Sequence, residues 1–241
     1  MASLANVTAA ILVGGLGTRL RPVVSDRPKV LAEIHGRPFL AYLLDQLARA
    51  GITQVVLCTG YLGEQVQAQF GNAYRTLRLK YSPERMPLGT GGTLRLALPL
   101  IDSPVALALN GDSFCDANLN FFWDWHCQSG ARATLLLTHV ADAGRYGQVQ
   151  VQANGAISGF REKQQQGGPG WINAGVYLID RDWLADIPSD RAVSLEREIF
   201  PAWVGRGLYG WQSEGRFLDI GTPEAYAAAQ TFFAPAAAEG E

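Results

Sequence analysis

VTAAILVGGLGTRLRP, residues 7–22, decides how the rest of this chain is read. Seven apolar or small residues end abruptly in Gly14, Gly15 and Gly17, with Arg19 and Arg21 directly behind. A short apolar run closed by turn residues is the pattern of a strand buried on both faces. A glycine turn at its carboxyl end lets backbone N–H groups approach an anion, and the arginines add charge. The stretch therefore reads as a buried strand running into a phosphate cradle.

Working outward, strand-like and helix-like segments alternate. In RPFLAYLLDQLARAG the residues Phe39, Leu40, Leu43, Leu44 and Leu47 recur at helical spacing before Gly51. QVVLCT predicts a strand, GEQVQAQFG a short helix, LRLKYS a strand, TGGTLRLAL a helix, and PVALALNGD an apolar strand closed by a polar turn. After the helix NLNFFWDWHCQSG come ATLLLTHV, YGQVQVQ, AISGF and WINAGVYLID, all strand-like. SLEREIF predicts a helix entered at Ser194, which Pro201 ends or kinks. RFLDIG predicts a strand, and in TPEAYAAAQTFF Thr222 caps a helix with Pro223 at its first position. Buried strands separated by helices predict an α/β fold: a Rossmann-like, doubly wound, mostly parallel mixed sheet, with a small additional β region after residue 130. In such sheets ligands bind beyond the carboxyl ends of strands, so the glycine turn and Asn110-Gly111-Asp112 are expected on one rim.

The 241 residues suit a single domain, expected over 1–233, with a flexible tail at 234–241; no internal repeat or linker is evident. A net charge of −2 with 17% charged residues argues against a nucleic-acid partner. Cys58, Cys115 and Cys127 show neither disulfide nor zinc spacing, and VTAAILV is too short to span a bilayer. A cytoplasmic protein with no membrane partner is expected. Lysine occurs only at Lys29, Lys80 and Lys163, so each position carries information.

Two familiar cradles are excluded. No Lys-Ser or Lys-Thr pair follows the glycines, as a P-loop requires, and Leu20 stands where a dinucleotide fingerprint needs its third glycine. LVGGLGTRLRP followed by RPKVLAEIHGRPFL resembles instead the signature of the sugar-1-phosphate nucleotidyltransferases. PLGTGG (87–92), NGD (110–112), REK (161–163), INAGVY (172–177) and DIGTPEAY (219–226) occur in that family's order, so the resemblance covers nearly the whole chain. VVSDRPK, PLGTGG, SLEREIFP and a close without an appended β-helix resemble, within the family, the guanylyltransferases acting on D-glycero-α-D-manno-heptose 1-phosphate, which serve surface polysaccharide synthesis.

The resemblance implies GTP and a sugar 1-phosphate as substrates, Mg²⁺ as cofactor, and attack of the sugar phosphate on the α-phosphorus with loss of pyrophosphate. It implies catalytic roles for Arg19, Lys29 and Asp112, and metal ligation by Asp112 and Asp219. It assigns Leu12, Gly14, Gly15, Gly17, Thr18, Arg19, Lys29, Glu84, Gly89, Thr90 and Asp112 to the nucleotide. Tyr146, Gly147, Glu162, Lys163 and Asn173 fall to the sugar phosphate; Gln164 stands where the family commonly has proline. Mannose, glucose or N-acetylmuramic acid 1-phosphate, with UTP or dTTP, remain alternatives, as does an inactive regulatory homologue. A glycosyltransferase is disfavoured, because its D-x-D motif occurs only at Asp180–Asp182, away from the nucleotide motifs. Phe121, Phe122, Trp123, Trp125 and His126 read as helix packing, at a contact of a homo-oligomer, rather than as a base-stacking platform. His35, His126 and His139 lack ligand spacing.

Overall fold

The computed structural model describes residues 3–144, 146–161, 168–189 and 191–234. In chain order the elements are β1 (Thr8–Leu12), β2 (Glu33–Ile34), β3 (Arg37–Pro38), α1 (Phe39–Arg49), β4 (Gln54–Thr59), α2 (Gly63–Phe70), β5 (Ala73–Tyr74), β6 (Leu77–Pro83), α3 (Gly89–Ala97), β7 (Val105–Asn110) and β8 (Ser113–Cys115). There follow α4 (Leu119–Ser129), β9 (Ala133–Val140), β10 (Gln148–Val151), β11 (Ile157–Arg161), β12 (Gly170–Asp180), α5 (Arg181–Ala185), α6 (Phe200–Trp203), β13 (Leu208–Ser213), β14 (Phe217–Asp219) and α7 (Pro223–Phe232).

Eight strands form the central sheet in the order β13-β9-β12-β7-β1-β4-β6-β5. Neighbours run parallel except that β12 is antiparallel to both β7 and β9, and β5 is antiparallel to β6. The expected mixed, mostly parallel, doubly wound sheet is therefore found. Alternating strand residues face opposite layers. Ala9, Ile11, Val55, Leu57, Leu107 and Leu109 pack with α1, α2, α4 and α7; Ala10, Val56, Cys58, Ala106 and Ala108 pack with α3, α5 and α6. From β1 the chain winds outward through β4 and β6, then returns to place β7 on the other side of β1. That reversal makes the switch point where loops splay apart and leave a crevice. The turns after β1 and β7 both open there.

The additional β region is the separate hairpin β10–β11, whereas β9, β12 and β13 join the main sheet. The helix expected at SLEREIF opens at Ser194, whose hydroxyl accepts the Arg197 N–H, but its first turn, Leu195–Ile199, is π-helical. Pro201 does not end it: Pro201 sits in the first turn of α6, where a missing N–H costs nothing. Thr222 caps α7 as expected, accepting from the Ala225 N–H, with Pro223 in the first turn. Asp180–Asp182 spans the end of β12 and the start of α5, and Asp180 pairs with Arg132. Phe122 and Trp123 are buried and Trp125 packs edge-on against Tyr209, while Phe121 stays 64% exposed. Among the described residues no helix is long and apolar enough to cross a membrane. Residues 235–241 of the expected tail lie outside the described residues.

Candidate active site

A cleft of about 280 Å³ lies at the switch point, lined by the turn after β1, Lys29, Glu84, the start of α3 and Asn110–Asp112. Eight residues expected at the nucleotide line it: Leu12, Gly14, Gly15, Lys29, Glu84, Gly89, Thr90 and Asp112. Gly17, Thr18 and Arg19 line an adjoining hollow that Lys29 and Gly221 share. No helix follows the glycine turn directly, so its amides are loop amides without a helix terminus. At Gly14 a Cβ would come within 3.0 Å of the Gly60 N and of Glu84 Oε1, so neighbouring backbone imposes glycine there. Leu20, the residue that breaks the dinucleotide fingerprint, is a core side chain 1% exposed, and its N–H bonds the Gly17 carbonyl at 2.9 Å. It anchors the turn.

Lys29 opens a 3₁₀ turn whose next residues, Val30 and Leu31, are buried, and this aims its ammonium at the Asp112 carboxylate, with which it forms an ion pair. Gly111 brings Asp112 to the rim. Its N–H donates to the Leu12 carbonyl at 3.0 Å, and a Cβ there would lie 2.4 Å from that same oxygen. Beyond the turn, β8 pairs antiparallel with β14, with Asp219 opposite Ser113, and the Ile220 N–H donates to the Asp112 carbonyl at 2.9 Å. This short ladder sets Asp219 beside Asp112 across more than a hundred residues of sequence. Burial pushes the Asp219 carboxyl above its ordinary range and the Asp112 charge adds to it; the Gly221 N–H (2.6 Å), Lys29 and Arg19 oppose them. Arg19 packs on the same turn, its Nη2 lying 3.1 Å from where a Gly221 Cβ would stand.

On the opposite wall, Glu84 Oε2 accepts from Thr93 Oγ1 at 2.6 Å and from the Leu88 N–H at 3.3 Å, tying the turn after β6 to α3. Gly89, Gly91 and Gly92 pack on the Val193 backbone; a Cβ on Gly89, whose φ is +70°, would meet Val193 O at 2.5 Å. They are therefore more than a bend before a helix. They permit a backbone contact that fixes the start of α3.

The expected sugar-phosphate residues are distributed differently. Asn173 Nδ2 donates to Tyr177 Oη at 3.0 Å, and its Oδ1 accepts the Gly175 N–H at 2.8 Å, so it is held by side chain and backbone together. Tyr146 lies edge-on to Phe217, two residues before Asp219. Gly147 adopts a φ of +82°. None of the three lines the cleft. Glu162 and Lys163 lie outside the described residues. Sequence reading assigned no role to Asn110, Thr93 or Glu196, although Asn110 stands inside NGD and Glu196 inside SLEREIFP.

The donor set suits a hard divalent cation. Asp112 and Asp219 are neighbouring carboxylates, the Asp219 carboxyl being raised by burial and then by the Asp112 charge, and Mg²⁺ takes one or two carboxylates with phosphate oxygens and waters. No cluster of three or more His, Cys, Asp or Glu exists among the described residues that could hold a metal by protein ligands alone.

At the switch point of this doubly wound sheet a glycine turn, a lysine and two aspartates thus come together. The Nucleotidyl transferase family matches residues 8–235, and the chain belongs to that family. It is 38% identical over 223 residues to the mannose-1-phosphate guanylyltransferase of Mycobacterium tuberculosis, covering 91% of this chain and 62% of that protein. It is 36% identical over 223 residues to the D-glycero-α-D-manno-heptose 1-phosphate guanylyltransferase of Aneurinibacillus thermoaerophilus, covering 92% and 96%. The chain thus spans about three fifths of the first relative's length and nearly all of the second's. The crystal structure of HddC from Yersinia pseudotuberculosis superposes with a TM-score of 0.85 at 28% identity, covering 95% of this chain and 100% of HddC. HddC complexed with GMP-PN gives a TM-score of 0.81.

Proposed function

We propose that this chain is a guanylyltransferase that joins GMP from GTP to a sugar 1-phosphate, with D-glycero-α-D-manno-heptose 1-phosphate as the acceptor. The observation that carries the reading is the meeting of Lys29, Asp112, Asp219 and Arg19 at the rim beside the Gly14–Gly17 turn. An oxygen of the sugar phosphate attacks the α-phosphorus of GTP; the new O–P bond forms as the bond to the β-phosphate oxygen breaks, and pyrophosphate leaves. The attacking oxygen is already anionic, so no general base is needed, and acceleration comes from positioning and charge stabilisation.

Amides of Gly14, Gly15 and Gly17 donate to the triphosphate, and Arg19 and Lys29 neutralise its oxygens. Leaving Asp112 for the phosphates, Lys29 meets charge growing on the α-phosphate and the leaving group. Asp112 and Asp219 would hold Mg²⁺, which would screen the phosphate charges from one another. Glu84, Gly89 and Thr90 shape the base end of the cleft. Asn173, Tyr146 and Gly147 serve the acceptor side, with Glu162 and Lys163 on the segment joining β11 to β12.

The heptose reading draws on VVSDRPK, PLGTGG and SLEREIFP together with the likeness to the Aneurinibacillus enzyme. Mannose 1-phosphate is the second reading, favoured by the likeness to the Mycobacterium enzyme. The two acceptors share a manno ring and differ beyond C5. Pyrophosphate release with GTP, UTP and dTTP against heptose, mannose, glucose and N-acetylmuramic acid 1-phosphates tests the assignment. The highest kcat/KM is expected with GTP and the heptose; turnover with UTP or dTTP but not GTP rejects it.

A further inference from the structure

At the cleft a connected set of side chains joins Thr90 and Asn173 to three residues that the reaction scheme above leaves unused, Glu196, Tyr177 and Asn110. Its anchor is Glu196, on the π-helical turn Leu195–Ile199, a rare geometry concentrated at functional sites. Thr90 Oγ1 (2.8 Å) and Ser194 Oγ (2.9 Å) donate to its Oε2, and the Tyr177 hydroxyl (3.4 Å) donates to its Oε1. A carboxylate can only accept, so the hydroxyl proton of Tyr177 points to Glu196 and its oxygen is left as an acceptor. Tyr177 is fully buried, and burial followed by the Glu196 charge keeps its phenol protonated far above the ordinary range.

Two amides donate to that phenolic oxygen, Asn173 Nδ2 at 3.0 Å and Asn110 Nδ2 at 3.4 Å. Their carbonyl oxygens are thereby turned away. Asn173 Oδ1 finds the Gly175 N–H at 2.8 Å. Asn110 Oδ1 finds nothing: it is a buried side-chain oxygen without a partner, on a residue that lines the cleft beside Leu12, Thr90 and Asp112. The fold makes room for this arrangement. The register of β12 against β9 breaks between Asn173 and Tyr177, and at Gly175, with φ +76°, a Cβ would come 2.8 Å from Asn110 Nδ2.

We infer that Glu196 is a positioning residue for substrate recognition: through Tyr177 it holds the Asn110 amide with Oδ1 unpartnered in the wall of the cleft, and that oxygen accepts a hydrogen bond from a substrate hydroxyl. The inference rests on the guanylyltransferase reading of the cleft. The hydroxyl belongs to the ribose or to the sugar phosphate, and deoxy substrates separate these sources.

The test compares kcat/KM for GTP with 2′-deoxy- and 3′-deoxy-GTP, and for mannose 1-phosphate with its 2-, 3-, 4- and 6-deoxy forms. In the wild type one analogue falls about tenfold or more, the usual result of leaving a buried acceptor unpaired. In Asn110→Leu the handicap of that analogue disappears. Glu196→Gln, nearly isosteric, supplies an amide that can donate to Tyr177 and so releases the direction of the chain; it removes the same handicap, mainly through KM, with an unchanged melting temperature. A Glu196→Gln or Asn110→Leu enzyme that keeps the wild-type handicap overturns the inference, as does a wild type indifferent to every analogue. A protein that turns over no sugar 1-phosphate with any triphosphate refutes the transferase reading instead. Calorimetric titration of GTP, mannose 1-phosphate and their deoxy forms then reads the relay by itself, and equal affinities throughout overturn it.

Discussion

Replacing Lys29 by methionine separates a catalytic cation from a structural one. The side chain is 12% exposed, its stem packs beside Gly17, and its ammonium meets a carboxylate that is 36% exposed. Methionine keeps the apolar stem and deletes the charge. A pair with one partner so open to water is worth no more than about 1 kcal/mol to the fold, so the melting temperature should move by only about 2–4 °C. On the proposed reading, the same ammonium meets charge on the α-phosphate and the leaving pyrophosphate at the transition state. Removing one such donor typically costs about 10²–10³ in kcat. Urea unfolding with thermal melts gives the first quantity, and steady-state pyrophosphate release gives the second. A folded Lys29→Met enzyme within tenfold of wild-type kcat/KM refutes the catalytic reading, and a loss of several kcal/mol of stability without a kinetic defect assigns Lys29 to the fold.

The remaining predictions follow the same logic. Asp219 has a raised carboxyl, so its contribution to stability is fully present below its unfolded value and lost as pH rises through the folded one. Asp219→Asn should therefore be at least as resistant to urea at pH 7.5 as the wild type while Mg²⁺-supported turnover falls about a hundredfold or more; parallel loss of both contradicts the metal role. His126 is 4% exposed, bonded to Thr134 Oγ1 at 2.7 Å, and burial pushes it down to about 4. Because its folded value lies below the unfolded one, stability is full above about pH 6.5 and declines toward about pH 4, with roughly 2 kcal/mol lost by pH 5. Urea unfolding of wild type and His126→Gln across that window checks this, and identical pH slopes refute it. Gly111→Ala forces a methyl against the Leu12 carbonyl and should lower both stability and activity, whereas Gly15→Ala, which meets nothing within 4 Å, should fold normally.

Most of the scaffold was legible because parallel strands buried on both faces need unbroken apolar runs, as in VALALN and QVVLCT. β13 was not, since in LYGWQS the inward position belongs to Gly210, where a Cβ would strike Leu137 Cδ1 at 2.5 Å. A required glycine looks locally like a turn. Pro201, read as the end of a helix or a kink, occupies instead the first turn of α6. Asp112 and Asp219 were singled out by motif resemblance, but their adjacency depends on the β8–β14 ladder, three residues each, which carries no local periodicity. The Glu196 relay was invisible because hydrogen-bond polarity is a property of contacts between segments far apart in sequence.

The reversed direction of β12 has a consequence for how this scaffold diversifies. β1 and β7, parallel to each other, deliver their ends to the rim, while the antiparallel β12 delivers its beginning: Val176 lies opposite Leu109, so Gly170–Ala174 extend past the end of β7. On the proposed reading, the triphosphate is handled by loops leaving strands and the acceptor by a segment entering one. The two halves are then independently exchangeable, and grafting the run ahead of Gly175 from a relative should retune acceptor choice while donor choice stays with the host.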